Sequence, residues 1–179
     1  KFPGNKYFTP NLINEFIRGG KTAEAMAYLD QAIANDPSNT CELIGVKASL
    51  YAEQKNYASA EPAYLQAIAA DANCEKALEG LGVLYILQAQ DVKEKAGQTN
   101  SRSEQAQLDK QTADFYQKSL PYLEKYRDLL KARGADFDLD IKPALMKLQN
   151  VYYNLSLLNI DKSAEYEAVQ KELGISDKQ

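Results

Sequence analysis

Apolar residues in the first half of the chain recur at intervals of three and four, the spacing of one α-helical face. One such stretch closes at Asp36-Pro37-Ser38-Asn39 and a second closes at Asp71-Ala72-Asn73-Cys74, 35 residues later. In that register Ala25 aligns with Ala60, Leu29 with Tyr64, Ala32 with Ala67 and Ile33 with Ile68. Each stretch comes after another helical pattern: Leu12, Ile13, Phe16 and Ile17 in the first, Ile44, Ala48, Tyr51 and Ala52 in the second. Short breakers separate the two, Gly19-Gly20-Lys21-Thr22 and Gln54-Lys55-Asn56-Tyr57. The pattern predicts a unit of helix, turn and helix that recurs about every 34 residues.

A lone pair of this kind has no partner for its apolar stripe, so units must stack. Small residues at Ala48 and Gly82 of the first helices, and Ala25 and Ala60 of the second, allow close approach, while Tyr51, Tyr64 and Tyr85 fill wider gaps. A third unit opens with Leu78, Leu81, Gly82 and Tyr85, and its second helix begins only at Tyr116-Gln117-Lys118-Ser119-Leu120-Pro121-Tyr122. Between them, the Gln-, Lys- and Glu-rich segment 88–112 has its only breakers at Gly97-Gln98-Thr99-Asn100-Ser101. Ala89, Val92 and Ala96 continue one stripe, and Ala106, Ala113 and Tyr116 make the answering one. Two extended helices joined by a short turn are expected there, with Ser101 or Ser103 as the cap. A fourth unit reads Leu145, Leu148 and Tyr152, then Ala164, Glu167 and Ala168. If second helices begin near Ala58 and Gln117, Pro62 and Pro121 both fall in a first turn, where a missing N–H costs little. Pro143 is expected to open the first helix of the fourth unit.

The pattern resembles the tetratricopeptide repeat. In the second unit Ala48, Tyr51, Tyr57, Ala60, Tyr64 and Ala67 carry the likeness; in the first, Phe16, Gly20, Ala25, Leu29, Ala32 and Pro37 do. The resemblance implies an all-α, right-handed superhelix of about four helix pairs with an elongated third pair. It implies one domain over residues 1–179, with repeats near 6–40, 41–74, 75–133 and 142–173, the last a degenerate capping pair. Leu120-Pro121-Tyr122-Leu123-Glu124-Lys125 and Lys147-Leu148-Gln149-Asn150-Val151-Tyr152-Tyr153 also look similar to the C-terminal part of exported tetratricopeptide proteins of Bacteroidetes. That likeness implies a periplasmic or otherwise exported location, the alternative being the cytoplasm. Members of that group commonly carry an N-terminal signal and further repeats, so the likeness also implies a C-terminal fragment or a short member; Lys1-Phe2-Pro3-Gly4 lacks a signal's basic start, and a start without Met suggests a trimmed chain.

Composition narrows the chemistry. The 179 residues include no His, which excludes imidazole acid–base catalysis, Ser-His and Cys-His pairs, and histidine-held metals. Two Cys build no Cys₄ zinc site. A net charge of −4 argues against a nucleic-acid binder, and no apolar run is long enough to span a membrane. The 24 Ala against 14 Val and Ile together favour helix over sheet. No enzyme, cofactor or metal is expected.

Several motifs have plain readings. Arg18-Gly19-Gly20-Lys21-Thr22 imitates the end of a phosphate-binding loop, but Glu15 stands where glycine is needed and a helix precedes it, so a turn is expected. Asp136, Asp138 and Asp140 alternate as in a calcium loop, yet Ile141 and Lys147 occupy its glycine and glutamate positions; helix capping by Asp140 explains them better. Cys41 and Cys74 sit at equivalent places in stacked helices, whose axes lie about 8–10 Å apart, so two thiols are expected rather than a bridge.

In tetratricopeptide arrays the first helices line a concave, partner-binding face. Projected onto this chain, that face comprises Tyr7, Asn14, Ile17 and Arg18, then Glu42, Ser49 and Glu53. Lys76, Glu79, Val83, Ile86 and Leu87 continue it, and Met146, Asn150, Tyr153 and Asn154 complete it. The family's carboxylate clamp is not expected, because only Asn14 and Lys76 match it, while Pro10, Val46 and Gly80 stand at its other positions. The expected function is a non-catalytic scaffold that binds an unidentified peptide or protein on this face. The alternatives are an architectural fragment whose Phe2, Tyr7 and Phe16 pack on upstream repeats of a longer array or, by self-association at this N-terminal edge, on a second copy, and an accessory subunit of an enzyme complex.

Overall fold

The computed structural model describes Glu15, residues 19–35 and residues 40–175. The expected first helix around Leu12, Ile13, Phe16 and Ile17 lies outside the described residues, as do Phe2, Tyr7, Asn14, Arg18 and the closing segment 36–39. The helices are α1 (Thr22–Asn35), α2 (Thr40–Glu53), α3 (Tyr57–Ala70), α4 (Glu75–Gln98), α5 (Arg102–Ala132), α6 (Lys142–Leu157) and α7 (Ser163–Glu172), with a π turn at Phe137–Ile141. No strand occurs among the described residues, so the expected all-α helical repeat is the observed fold. The chain forms two compact units, residues 1–80 and 81–179.

In the first unit, the helix-to-helix spacing is set by the small residues. Ala25 and Leu29 of α1 pack with Leu43 and Leu50 of α2. Ala48, Ala60 and Ala67 are fully buried, and Tyr64 is buried beside them. A methyl group on Gly80 would come within 2.3 Å of the Tyr64 ring, so only glycine lets α4 take that ring against its backbone. Gly45 plays the same part for the stem of Lys76. Asn56 caps α3 by accepting the Ser59 N–H at 3.3 Å. Pro62 is the sixth residue of α3, just past the expected first turn, and forgoes one intrahelical bond.

The structure overturns the expectation of two thiols: Cys41 and Cys74 form a disulfide, with Cα atoms 5.9 Å apart. Axis separation is the wrong measure for them. Cys41 is the second residue of α2 and Cys74 immediately precedes α4, so both lie where two helix N-termini converge. There the backbones approach more closely than the axes, and the separation falls within the range a disulfide needs. The bond closes a 33-residue span over α2, α3 and the turns around them.

In the second unit, α4 and α5 extend to meet at a turn of Thr99, Asn100 and Ser101, as expected, although Ala106 of the answering stripe is exposed. Ser101 is the cap, accepting the Glu104 N–H at 3.3 Å. Val92 and Ala96 of α4 are buried, as are Thr112, Ala113 and Tyr116 of α5. Pro121 corrects its expected place: it lies deep inside the 31-residue α5 rather than in a first turn. Proline removes its own bond to the carbonyl four residues back. The helix continues through it because Tyr116, Leu120 and Leu123 anchor both sides of the break in the core. A methyl group on Gly82 would lie 2.6 Å from the Leu123 side chain, so this glycine sets the α4–α5 approach.

The core continues through Leu145, Leu148, Val151, Tyr152 and Leu155 of α6 to Val169 of α7. Gly134 ends α5 in the left-handed region, with the Ala135 N–H bonded to Leu130 O and its own N–H to Lys131 O. The same two-bond closure ends α7 at Gly174 and α6 at Asn159. The cap among the three aspartates is Asp136, which accepts the Leu139 N–H at 2.8 Å, not Asp140 as expected. The inserted π turn shifts the helical start forward, and Pro143 falls in the first turn of α6 as expected.

The disulfide sets a stability test. Replacing both cysteines (Cys41→Ser with Cys74→Ser) should lower unfolding free energy by about 3–4 kcal/mol, from the entropy of a released loop of this length. Urea unfolding of the oxidised protein and the double variant measures it, and equal midpoints would refute the bridge.

Candidate functional site

On the first unit, Ser49 and Glu53 of α2 and Glu79 of early α4, all expected to face a partner, gather around one phenol, Tyr64. Ser49 Oγ donates to Gly45 O at 3.0 Å and lies 2.9 Å from the Tyr64 hydroxyl. Either hydroxyl can supply the proton shared between Ser49 and Tyr64. Burial raises the Tyr64 pKa, the Ser49 bond lowers it, and the charges of Glu53 and Glu79 raise it further. Glu42 and Glu53 are exposed, while Ser49, Lys76 and Glu79 are half-buried. The result is an acidic surface with one lysine, built over a neutral phenol.

In the second unit the expected residues divide. Val83 and Leu87 are half-buried, and Asn150 is exposed. Met146 is 56% exposed and Tyr153 50%. Ile86, expected on the binding face, is instead in the core and buried, because α4 turns that position towards α5 and α6. Asn154 is buried too: its amide donates to Asn150 O at 2.8 Å and accepts from Lys93 Nζ at 2.8 Å. These bonds tie α6 to α4 and leave Asn154 little surface for a partner. Tyr7, Asn14, Ile17 and Arg18 lie outside the described residues.

Two features lie beyond what the repeat pattern projects. Leu157, 57% exposed, extends the Met146, Asn150 and Tyr153 row by one more helical step; its spacing of four from Tyr153 was the available signal. A cleft of about 370 Å³ also opens between α1, α2 and α3, with Ile33, Ile44 and Pro62 among its apolar walls and the Lys47–Asp30 ion pair at its edge. Ile44, Lys47 and Tyr51 face it from the side of α2 opposite Glu42, Ser49 and Glu53. Three helices must pack before such a cleft exists, so no linear motif announces it. Among the described residues there is no cluster of three or more Cys, Asp or Glu placed to hold a metal. No described helix is long and apolar enough to cross a membrane.

Among the described residues, Tyr152 is strongly perturbed. Burial, then its 2.6 Å hydrogen bond to Glu124 and that carboxylate's charge, push its pKa far above the ordinary tyrosine value. Burial raises Tyr116 as well. A phenol whose folded pKa is raised stabilises the fold fully below the unfolded pKa of about 10, and that contribution is lost as pH rises beyond it. Unfolding free energy should therefore fall from about pH 10 upward. Tyr152→Phe should flatten that fall and cost about 1.5–3 kcal/mol near neutrality, the worth of a hydrogen bond to a charged group. Urea titrations across this range provide the check, and an unchanged alkaline slope in the variant would contradict the assignment.

A search of curated proteins returned no match to this chain. Residues 42–74, spanning α2, α3 and the turn to Cys74, match the family model of the tetratricopeptide repeat, a repeat that generally serves protein–protein interaction.

Proposed function

We propose that the protein is a non-catalytic scaffold that binds a protein or peptide partner on the outward faces of its first helices, α2, α4 and α6. The observation that carries this reading is the α6 face. Met146 and Tyr153 stay half in solvent on the side opposite the core residues Leu148, Val151 and Leu155. Large apolar groups held outward on a rigid helix supply contact area with little ordering cost. The acidic surface of the first unit adds charge selectivity, favouring a partner with basic residues where it meets Glu42, Glu53 and Glu79. The match of residues 42–74 to an interaction repeat supports the same reading.

The scaffold works, in this reading, in an exported and oxidising compartment, periplasmic if the Bacteroidetes resemblance holds. The Cys41–Cys74 bridge supports that placement, because disulfides persist in such compartments and are rare in the cytosol.

The test is affinity capture from native extract with the wild-type chain and the double variant Glu42→Lys, Glu79→Lys. Partner recovery should fall at least tenfold, the effect of about 1.4 kcal/mol lost at a charged interface. Circular dichroism of the variant should remain helical. Undiminished recovery would remove the α2–α4 face from the interface.

A further inference from the structure

The two ends of the Cys41–Cys74 bridge do not meet the solvent alike. Cys74 is 1% exposed, whereas Cys41 is partly exposed. Their places in the fold explain the difference. Cys41 belongs to the first turn of α2, next to exposed Glu42. Cys74 sits in the junction between α3 and α4. Its N–H donates to Asp71 O at 3.0 Å, and its carbonyl accepts the Ala77 and Leu78 N–H groups at 3.1 and 2.9 Å. Ala77 and Leu78 are themselves buried, so this backbone is held on both sides of the sulfur.

We propose that Cys41 is the exchange site of this bridge, the sulfur at which an external disulfide or thiol enters, and that Cys74 is the resolving and leaving sulfur. Thiol–disulfide exchange depends on access to the sulfur attacked. A reagent in water reaches Cys41 and is kept from Cys74 by the packed α3–α4 junction. Loop closure by the bridge favours the oxidised form, so the asymmetry concerns the route of exchange and not the resting state.

The steps balance. To close the bridge, Cys41 loses its proton to solvent and its thiolate attacks one sulfur of a small-molecule disulfide. A mixed disulfide forms on Cys41, and the first reagent thiolate leaves. Cys74, deprotonated in turn, attacks the Cys41 sulfur; the Cys41–Cys74 bond forms and the second reagent thiolate leaves. The two reagent thiolates take up two protons, so two cysteine thiols are oxidised and one disulfide is reduced to two thiols. The second step is intramolecular, with the Cα atoms 5.9 Å apart, and so outruns a second reagent molecule. To open the bridge, a reagent thiolate attacks Cys41 and Cys74 leaves. Its thiolate is released at the start of α4, where first-turn N–H groups have no intrahelical acceptor, an environment that favours it.

The surrounding charges choose the reagent. Among the described residues, Glu42, Asp71 and Glu75 lie within three positions of the two cysteines, against one cation, Lys76. Glu42 and Asp71 are exposed. A cationic disulfide is therefore drawn towards Cys41, and an anionic one is held off.

The experiment follows, by mass, the uptake of cystamine and of oxidised glutathione by the full chain carrying Cys74→Ser or Cys41→Ser. In native buffer, Cys41 of the first variant should react with cystamine at least tenfold faster than Cys74 of the second. In about 8 M urea the two rates should converge, because the difference belongs to the fold. The reduced wild-type chain supplies the check that needs no substitution: after brief exposure to cystamine and an acid quench, peptide mapping should find the adduct on Cys41. With each reagent's native rate divided by its rate in urea, cystamine should lead oxidised glutathione several-fold at low salt and lose that lead at a salt concentration on the order of 1 M. Native reaction at Cys74 as fast as at Cys41, or a wild-type adduct on Cys74, would overturn the assignment of the entry sulfur. Equal low-salt rates for the two reagents would overturn the charge selection.

Discussion

Close approach of one helix to the next, at positions where a side chain is missing, is the constraint on which each unit depends. Tyr64 lies where a Cβ on Gly80 would have to be, and Leu123 lies where one on Gly82 would be. A solvent-exposed helix pair has one apolar stripe and no partner for it. Bringing the next helix within reach of a tyrosine ring or a leucine side chain is what removes that stripe from water, at about 25 cal/mol per Å² of apolar surface. Both glycines sit on α4, two residues apart. Gly80 takes the Tyr64 ring of α3 in the first unit, and Gly82 takes the Leu123 side chain of α5 in the second.

That packing decides which faces remain for function. With the inner sides of α2 and α6 committed to neighbours, their outer sides carry the residual chemistry: carboxylates over a buried phenol in one unit, and an apolar row with a single amide in the other. Tyr64 and Tyr152 have raised pKa values because they are buried and face carboxylates, which holds them neutral and structural across the physiological range. Rigid presentation of a surface, with the disulfide fixing the α2–α4 junction, fits recognition better than turnover.

Much of this was legible in the sequence. The 35-residue offset that aligns Ala25 with Ala60 and Leu29 with Tyr64 marks residues that are all buried, because helical periodicity and residue size report directly on packing. The long α4–α5 hairpin, its short turn and its Ser101 cap came from local rules, as did Pro143. What failed needed three-dimensional position. The disulfide depends on how two helix ends converge, which a mean axis spacing averages away. Pro121 continues a helix because tertiary contacts on both sides outweigh one lost bond. Ile86 and Asn154 turned inward because the edge of a binding face is set by the neighbouring helix, not by the wheel of a single one. The α1–α2–α3 cleft had no linear trace at all.

Backbone amide chemical-shift mapping reads out whether protein contacts use the outward faces of α2, α4 and α6. Spectra of the oxidised chain, compared before and after association with a captured partner, should change at Glu42, Glu79, Asn150, Tyr153 and their helical neighbours. Shifts concentrated instead at Ile33, Lys47 and Gln66 would put the contact at the cleft on the other side of α2 and not on these faces.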